Sequence, residues 1–177
     1  MQSQAYKDLR LKASDNERQV VGNLEMLNRR VYELLYSSKS EAGDGGEKAA
    51  KFMYVVHMQV MGSKEGTDRA GQESHFIDWY TSTRIPLLVQ VPGYLRSRVY
   101  RLAEHTELAG RAPTTSINEN TPYKFLAIHE WSMDGAVVVD SSEFKMCMTD
   151  AEPWKMEGEE VVAEMEDRLF ALYKVFE

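Results

Sequence analysis

His57 is the side chain best placed to move a proton. It lies in the middle of FMYVVHMQVM (52–61), where alternation puts Met53, Val55, His57 and Gln59 on one face and Tyr54, Val56, Met58 and Val60 on the other. In an apolar enclosure the ionisation of an imidazole is easily tuned, so His57 is a candidate general acid or base. The competing reading is a buried histidine hydrogen-bonded to a neighbour. Arg98 and Tyr100 alternate onto one face of a second run, YLRSRVYRL (94–102), where they could orient a phenol or a carboxylate. Edge exposure competes with that role. Gln59 shares the face of His57. Trp79, Tyr80 and Arg84 fall on a helical stretch, and a guanidinium there could hold an anion or an oxyanion. His129 and Trp131 share a face of YKFLAIHEW (123–131) and could extend the same cavity. For Trp79, His129 and Trp131 the alternative is core packing, and for Arg84 a surface salt bridge.

Other chemistries find little support. The four histidines are scattered, with no two at i,i+3 or i,i+4 spacing, which gives a metal site little support, and no cofactor is expected. There is no phosphate loop, no G-x-S-x-G and no dinucleotide fingerprint. The single cysteine, Cys147, falls on the apolar side of a helix, excludes an intrachain disulfide and fits a reducing compartment. A net charge of −7 argues against nucleic acid or an anionic membrane as partner. No apolar run reaches the roughly 20 residues of a membrane helix, and MQSQAYKDLR lacks the apolar core of a signal peptide. A cytoplasmic protein is expected.

The elements that must position these residues read as follows. Ser3–Leu11 is a short helix. Ser14-Asp15-Asn16-Glu17 is a capping box opening a second helix, with Val20, Val21, Leu24 and Leu27 at helical spacing. Residues 29–36 could prolong it or form a strand. SSKSEAGDGGEKAAK (37–51) has the composition of a linker, which places domains at 1–37 and 52–177 with a flexible linker at 38–51 between them. Residues 52–61 are the strongest strand. Phe76, Trp79, Tyr80, Thr83, Leu87, Leu88 and Val91 form one helical stripe, stopped by Pro92-Gly93. A strand at 94–102, a polar segment at 103–122, a strand at 123–131 and a loop at 132–140 follow. Ser142 caps a helix, a second capping box stands at Thr149–Glu152 with helix to about Glu166, and Leu169–Phe176 is a last strand.

From Phe52 the order is β-α-β-β-α-β, an α+β ferredoxin-like domain with an antiparallel sheet. Its second face carries Met53 and Val55 and needs cover, from a dimer or from a second copy in the chain. Shifted by 138 residues, Ser3–Tyr36 aligns without a gap onto Ser141–Lys174 with five identities, Arg30 on Arg168 and Leu34 on Leu172 among them. The first 36 residues thus look like the helix-strand half of another repeat, which favours the strand reading of Arg30–Tyr36.

FIDWYTSTRIPLLVQVPGYLRSRVYRL, with YKFLAIHEW and RLFALYKVF, resembles the EthD-like branch of the dimeric α+β barrel superfamily, closest to fungal-type members with two repeats per chain. The resemblance covers Phe52–Glu177 and, as the tail of a first repeat lacking its first half, Ser3–Tyr36. It implies paired ferredoxin-like sheets closing around a cavity that takes a small aromatic or polyketide-like ligand. It implies acid/base chemistry of the cyclase or dehydratase kind, or cofactor-free oxygenation at Trp79 or Arg84. Relatives carry Glu-His before Ile-Pro, where this chain has Thr83-Arg84. That departure, with the missing half-repeat, keeps a non-catalytic binding or assembly module, or an inactive truncated paralogue, as the alternative. A homodimer through the open sheet faces is expected.

Overall fold

The computed structural model describes residues 12–24, 27–39, 49–61, 68–108, 122–149, 154 and 162–172. They form α1 (Asp15–Asn23), β1 (Leu27–Lys39), β2 (Phe52–Met61), α2 (Arg69–Trp79), a π-helix (Tyr80–Arg84), α3 (Ile85–Val89), β3 (Tyr94–Leu108), β4 (Phe125–Trp131), α4 (Gly135–Asp140), α5 (Ser142–Thr149) and β5 (Val162–Ala171). The chain divides into two compact units, 1–31 with 103–122 and 32–102 with 123–177.

In the first unit, α1 opens on the expected capping box. Ser14 Oγ accepts from the Glu17 amide while the Glu17 carboxylate accepts from the Ser14 amide. Every α1 residue described is exposed. The helix stops at Asn23, so Leu24 caps it and Leu27 begins a strand. Arg29 and Glu104 form an ion pair within this unit.

The second unit holds the core. The sheet order is β1-β3-β4-β2-β5, and the β2–β4, β2–β5 and β3–β4 ladders are all antiparallel. From β2 onward this is the split β-α-β arrangement of an α+β ferredoxin-like domain, with β4 inserted between β2 and β3 and β2 between β4 and β5. Helices cover one face. Phe52, Tyr54, Val56, Met58 and Val60 of β2 meet Phe76, Tyr80, Ile85, Leu88 and Val91 from the helical segment and Val138, Phe144 and Cys147 from α4 and α5. Trp154 joins them, its indole N–H donating to His75 Nδ1 at 3.2 Å.

The central helical segment is not one uniform stripe. The buried positions step from Phe76 to Tyr80 to Ile85 to Leu88, and the step of five is the π-turn. Pro86 explains it. Proline has no N–H to give the ladder and its ring crowds the preceding carbonyls. Thr81 and Ser82 hydroxyls bond the Ile77 and Asp78 carbonyls instead, and the Ile85 amide reaches back to Tyr80. Thr83 is therefore exposed and Leu87 only half-buried.

Gly93 turns the chain at φ +79°, and a Cβ there would lie 2.5 Å from Met133 Cγ. Gly93→Ala is expected to lower stability by about 1–2 kcal/mol, the cost of a left-handed alanine, since Met133 is exposed and can swing away. Chemical denaturation checks this.

Several expectations change. Residues 162–166 are strand, not helix: β5 starts at Val162 because it pairs along the whole of β2, which overrides a helix-favouring composition. Residues 135–140, expected as loop, form α4. The cap of α5 is Ser141, whose Oγ accepts from the Phe144 amide, rather than Ser142. β1 begins before Arg30 and takes in Ser37–Lys39, and β3 continues to Leu108. The helix at Ser3–Leu11, the residues after Thr149 in the second capping box, and 173–176 lie outside the described residues.

Candidate functional site

Strand register divides the candidates between the two faces of the sheet. On the face opposite α2 to α5 in this unit, successive rows run across β3, β4, β2 and β5. One row is Tyr100, Leu126, His57, Glu166; the next is Arg98, Ile128, Val55, Arg168; the next is Arg96, Glu130, Met53, Phe170. Gln59 pairs with Glu164 one row beyond His57. Thus His57, Tyr100, Arg98 and Gln59 share a face whose floor is Val55, Leu126 and Ile128. His57, Val55, Leu126, Ile128 and Tyr100 are half-buried, while Met53 and Phe170 are exposed.

The charges on this face are organised. Glu130, only 5 % exposed, takes Arg98 at 3.2 Å and Arg96 on its other oxygen. One guanidinium N–H of Arg98 serves Glu130, and a guanidinium has five. Arg168 donates to Glu166 at 2.7 Å, and this bond, with His57 alongside, holds the Glu166 carboxyl below its usual range. The His57 ring lies 6.2 Å from that of Tyr123, whose hydroxyl donates to Glu164. Tyr100 meets Tyr32 edge-on at 6.5 Å. Gln59 uses its carbonyl oxygen to accept the Lys124 amide.

Trp79, Tyr80, Arg84, His129 and Trp131 lie on the other side, so His129 and Trp131 do not extend the His57 face. His129 is fully buried and bonded at both ring nitrogens, to Ser97 Oγ at 2.7 Å and to Tyr80 Oη at 3.0 Å. Tyr94 donates to Ser97 at 2.8 Å and contacts Ser38 Oγ at 2.6 Å. A serine hydroxyl has one proton and two lone pairs, so it can accept from Tyr94 and still pair with His129 Nδ1, and the neutral imidazole donates at one ring nitrogen and accepts at the other. Burial, with Arg84 adding to it, pushes the His129 imidazole down to about 3, so it is neutral. Burial likewise raises the Tyr80 and Tyr54 hydroxyls above their ordinary value. Arg84 donates to the Cys147 carbonyl and to Met148 Sδ, closing the C-terminal turn of α5 rather than standing free for an anion. Trp79 stacks on Phe76 at 6.0 Å. Trp131 packs against Phe52, Tyr94 and Phe144.

Sequence reasoning missed Ser97, Tyr94, Glu130, Glu166 and Arg168. Alternation within 94–102 places Ser97 with Val99, a polar residue on an apolar face, and that was the available signal for the His129 partner.

No protein-family model matches this chain, and no curated protein is similar to it. Among solved structures, the heme-degrading enzyme LmHde from Listeria monocytogenes is similar at 13% identity over 92% of each chain, with a TM-score of 0.35. A likeness that shallow transfers neither fold nor chemistry. Among the described residues, no helix is long and apolar enough to cross a membrane, and no group of three or more His, Cys, Asp or Glu could hold a metal ion.

Proposed function

We propose that this chain is a dimeric α+β barrel protein of the EthD-like kind. On this reading it binds a small, flat aromatic or polyketide-like compound against the open face of its sheet, with a second copy closing over it. His57 is the acid/base group, and Tyr100 and Arg98 orient an oxygen of the ligand. The supporting observation is the register that puts these three on one face above Val55, Leu126 and Ile128. His57 and Tyr100 are two strand spacings apart, about 10 Å. A two-ring compound spans that distance, so proton transfer and oxygen binding act at opposite ends of it. An imidazole can take a proton from a ring carbon conjugated through the ring system to a distant carbonyl, and the electron pair left by that C–H bond moves through the rings to the far oxygen, where Arg98 meets the developing charge.

Acid/base conversion is preferred over oxygenation at Trp79 or Arg84, because those two pack against Phe76 and bind the Cys147 carbonyl. The same facts support a second reading, a binding or assembly module without turnover: Thr83 is exposed and Arg84 is engaged, so the positions of the Glu-His pair supply no acid or base. His57→Ala separates the two. In assays on hydroxylated naphthalenes and anthrones, turnover is expected to fall by about 10²-fold or more with binding kept. Unchanged turnover contradicts the assignment of His57, and binding without turnover by the unmodified protein supports the module.

A further inference from the structure

On the open face one carboxylate serves two guanidiniums. Glu130 on β4 is 5 % exposed, and both its oxygens are taken, one by Arg96 and the other by Arg98 at 3.2 Å. Resting on the ligand reading above, we infer that Arg96, Glu130 and Arg98 form an anion subsite, and that the aromatic ligand lies against it as a phenolate or enolate in preference to the neutral phenol or ketone.

A bulge builds the cluster. Tyr94 pairs with Trp131 and Arg96 with Glu130, so Leu95 is an extra residue on β3. Without it, Arg96 would pair with His129 and turn to the helix-covered face, since a one-residue slip turns every side chain over. With it, Arg96 stands directly opposite Glu130. Arg98 follows at the next position on the same face, opposite Ile128.

The charge then divides unequally. A carboxylate carries one negative charge and cannot neutralise two guanidiniums. The Arg96 side chain is 13 % exposed and shut in with Glu130, while that of Arg98 is 37 % exposed. The unmatched positive charge therefore sits on Arg98. Among the described residues of β3 and the two strands flanking it, no second carboxylate answers it. β3 has no acid between Gly93 and Ala103, β4 has only Glu130, and the one acid of β1, Glu33, is bonded by Arg101 at 2.6 Å. Arg98 gives one N–H to Glu130 and keeps others for an oxygen. Half-buried Val55 and Ile128 in its own row lower the local dielectric, which strengthens its pull on an oxyanion. Arg96 acts through Glu130: by taking up the carboxylate's charge, it leaves that of Arg98 turned to the ligand.

2-Naphthol tests this without any need for turnover, because its anion absorbs at longer wavelength than its neutral form. Titrated with base while bound to the full chain, it is expected to ionise about 1–2 pH units below the free compound, the anion binding about 10- to 100-fold more tightly than the phenol. Three variants move this shift in different directions. In Arg98→Gln it disappears. In Arg96→Gln it shrinks although Arg98 remains, because Glu130 then neutralises Arg98. In Glu130→Gln it grows. Residues that only held the fold would move it the same way in all three. Circular dichroism checks that each variant is folded, and should Glu130→Gln not fold, Arg96→Gln decides, since it keeps a cation on the carboxylate. Bound naphthol that ionises where the free compound does, or a shift unchanged in Arg96→Gln, overturns the subsite and leaves the ligand reading standing. If the unmodified protein binds neither form of 2-naphthol, the ligand reading fails and the subsite with it.

Discussion

Acidifying the protein from pH 6.5 to 4.5 is expected to lower its unfolding free energy with a slope that steepens from about 0.7 to about 1.4 kcal/mol per pH unit, on the order of 2.3 kcal/mol across the window. The source is His129. In the folded chain its imidazole is held down to about 3, and burial is the larger cause. In the unfolded chain it returns to about 6.5. The unfolded state therefore binds a proton that the folded state refuses, and stability falls as pH drops below the unfolded value until the folded value is reached. The lowered carboxyls of Glu17 and Glu166 contribute in the same direction, but only nearer and below their ordinary value of 4.5, so the upper window belongs to His129. Denaturant titrations at half-unit intervals measure the slope. In His129→Gln the proton site is gone, and the slope between 6.5 and 4.5 is expected to shrink with it. A slope that survives the substitution assigns the acid sensitivity elsewhere.

The second large effect separates two neighbouring valines. Val56→Asp places a carboxylate among Tyr54, Met58 and Ala127, at a position only 2 % exposed, and is expected to abolish folding: an unpaired buried charge costs several kcal/mol. Val55→Asp, one residue away, faces the side opposite α2 to α5, and Arg168 stands opposite it on β5. It is expected to keep a cooperative unfolding transition within about 1 kcal/mol of the original and to weaken self-association. Circular dichroism through a thermal scan distinguishes the two outcomes directly. Equal damage from both means that Val55 is as deeply packed as Val56.

How far the residues announced this arrangement depends on the kind of information each feature needs. The faces of 52–61 were legible, since hydrophobic alternation alone separates Tyr54, Val56 and Met58 from Val55 and His57. The start of α1 was legible because Ser14 and Glu17 sit at capping-box spacing. What alternation does not carry is which face of one strand matches which face of the next. His129 and His57 each stood on a defined face of their own strand, and only the pairing of His57 with Leu126, and of Tyr54 with His129, shows that they look in opposite directions. The π-turn was hidden for a related reason. Pro86 marks a break in the ladder, but the extra residue that turns Ile85 inward in place of Thr83 depends on how the segment packs on the sheet. Residues 162–166 read as the continuation of a helix opened at the Thr149–Glu152 capping box, and they are strand because they pair along β2.

Hydroxyl-radical footprinting of the unmodified protein across a dilution series asks most directly whether a second copy covers the open face. Met53, Phe170 and Tyr100 are expected to label readily when dilute and to become protected as concentration rises, while exposed Met146, on α5, labels equally throughout. Labelling of Met53 and Phe170 that stays high at every concentration would contradict the account.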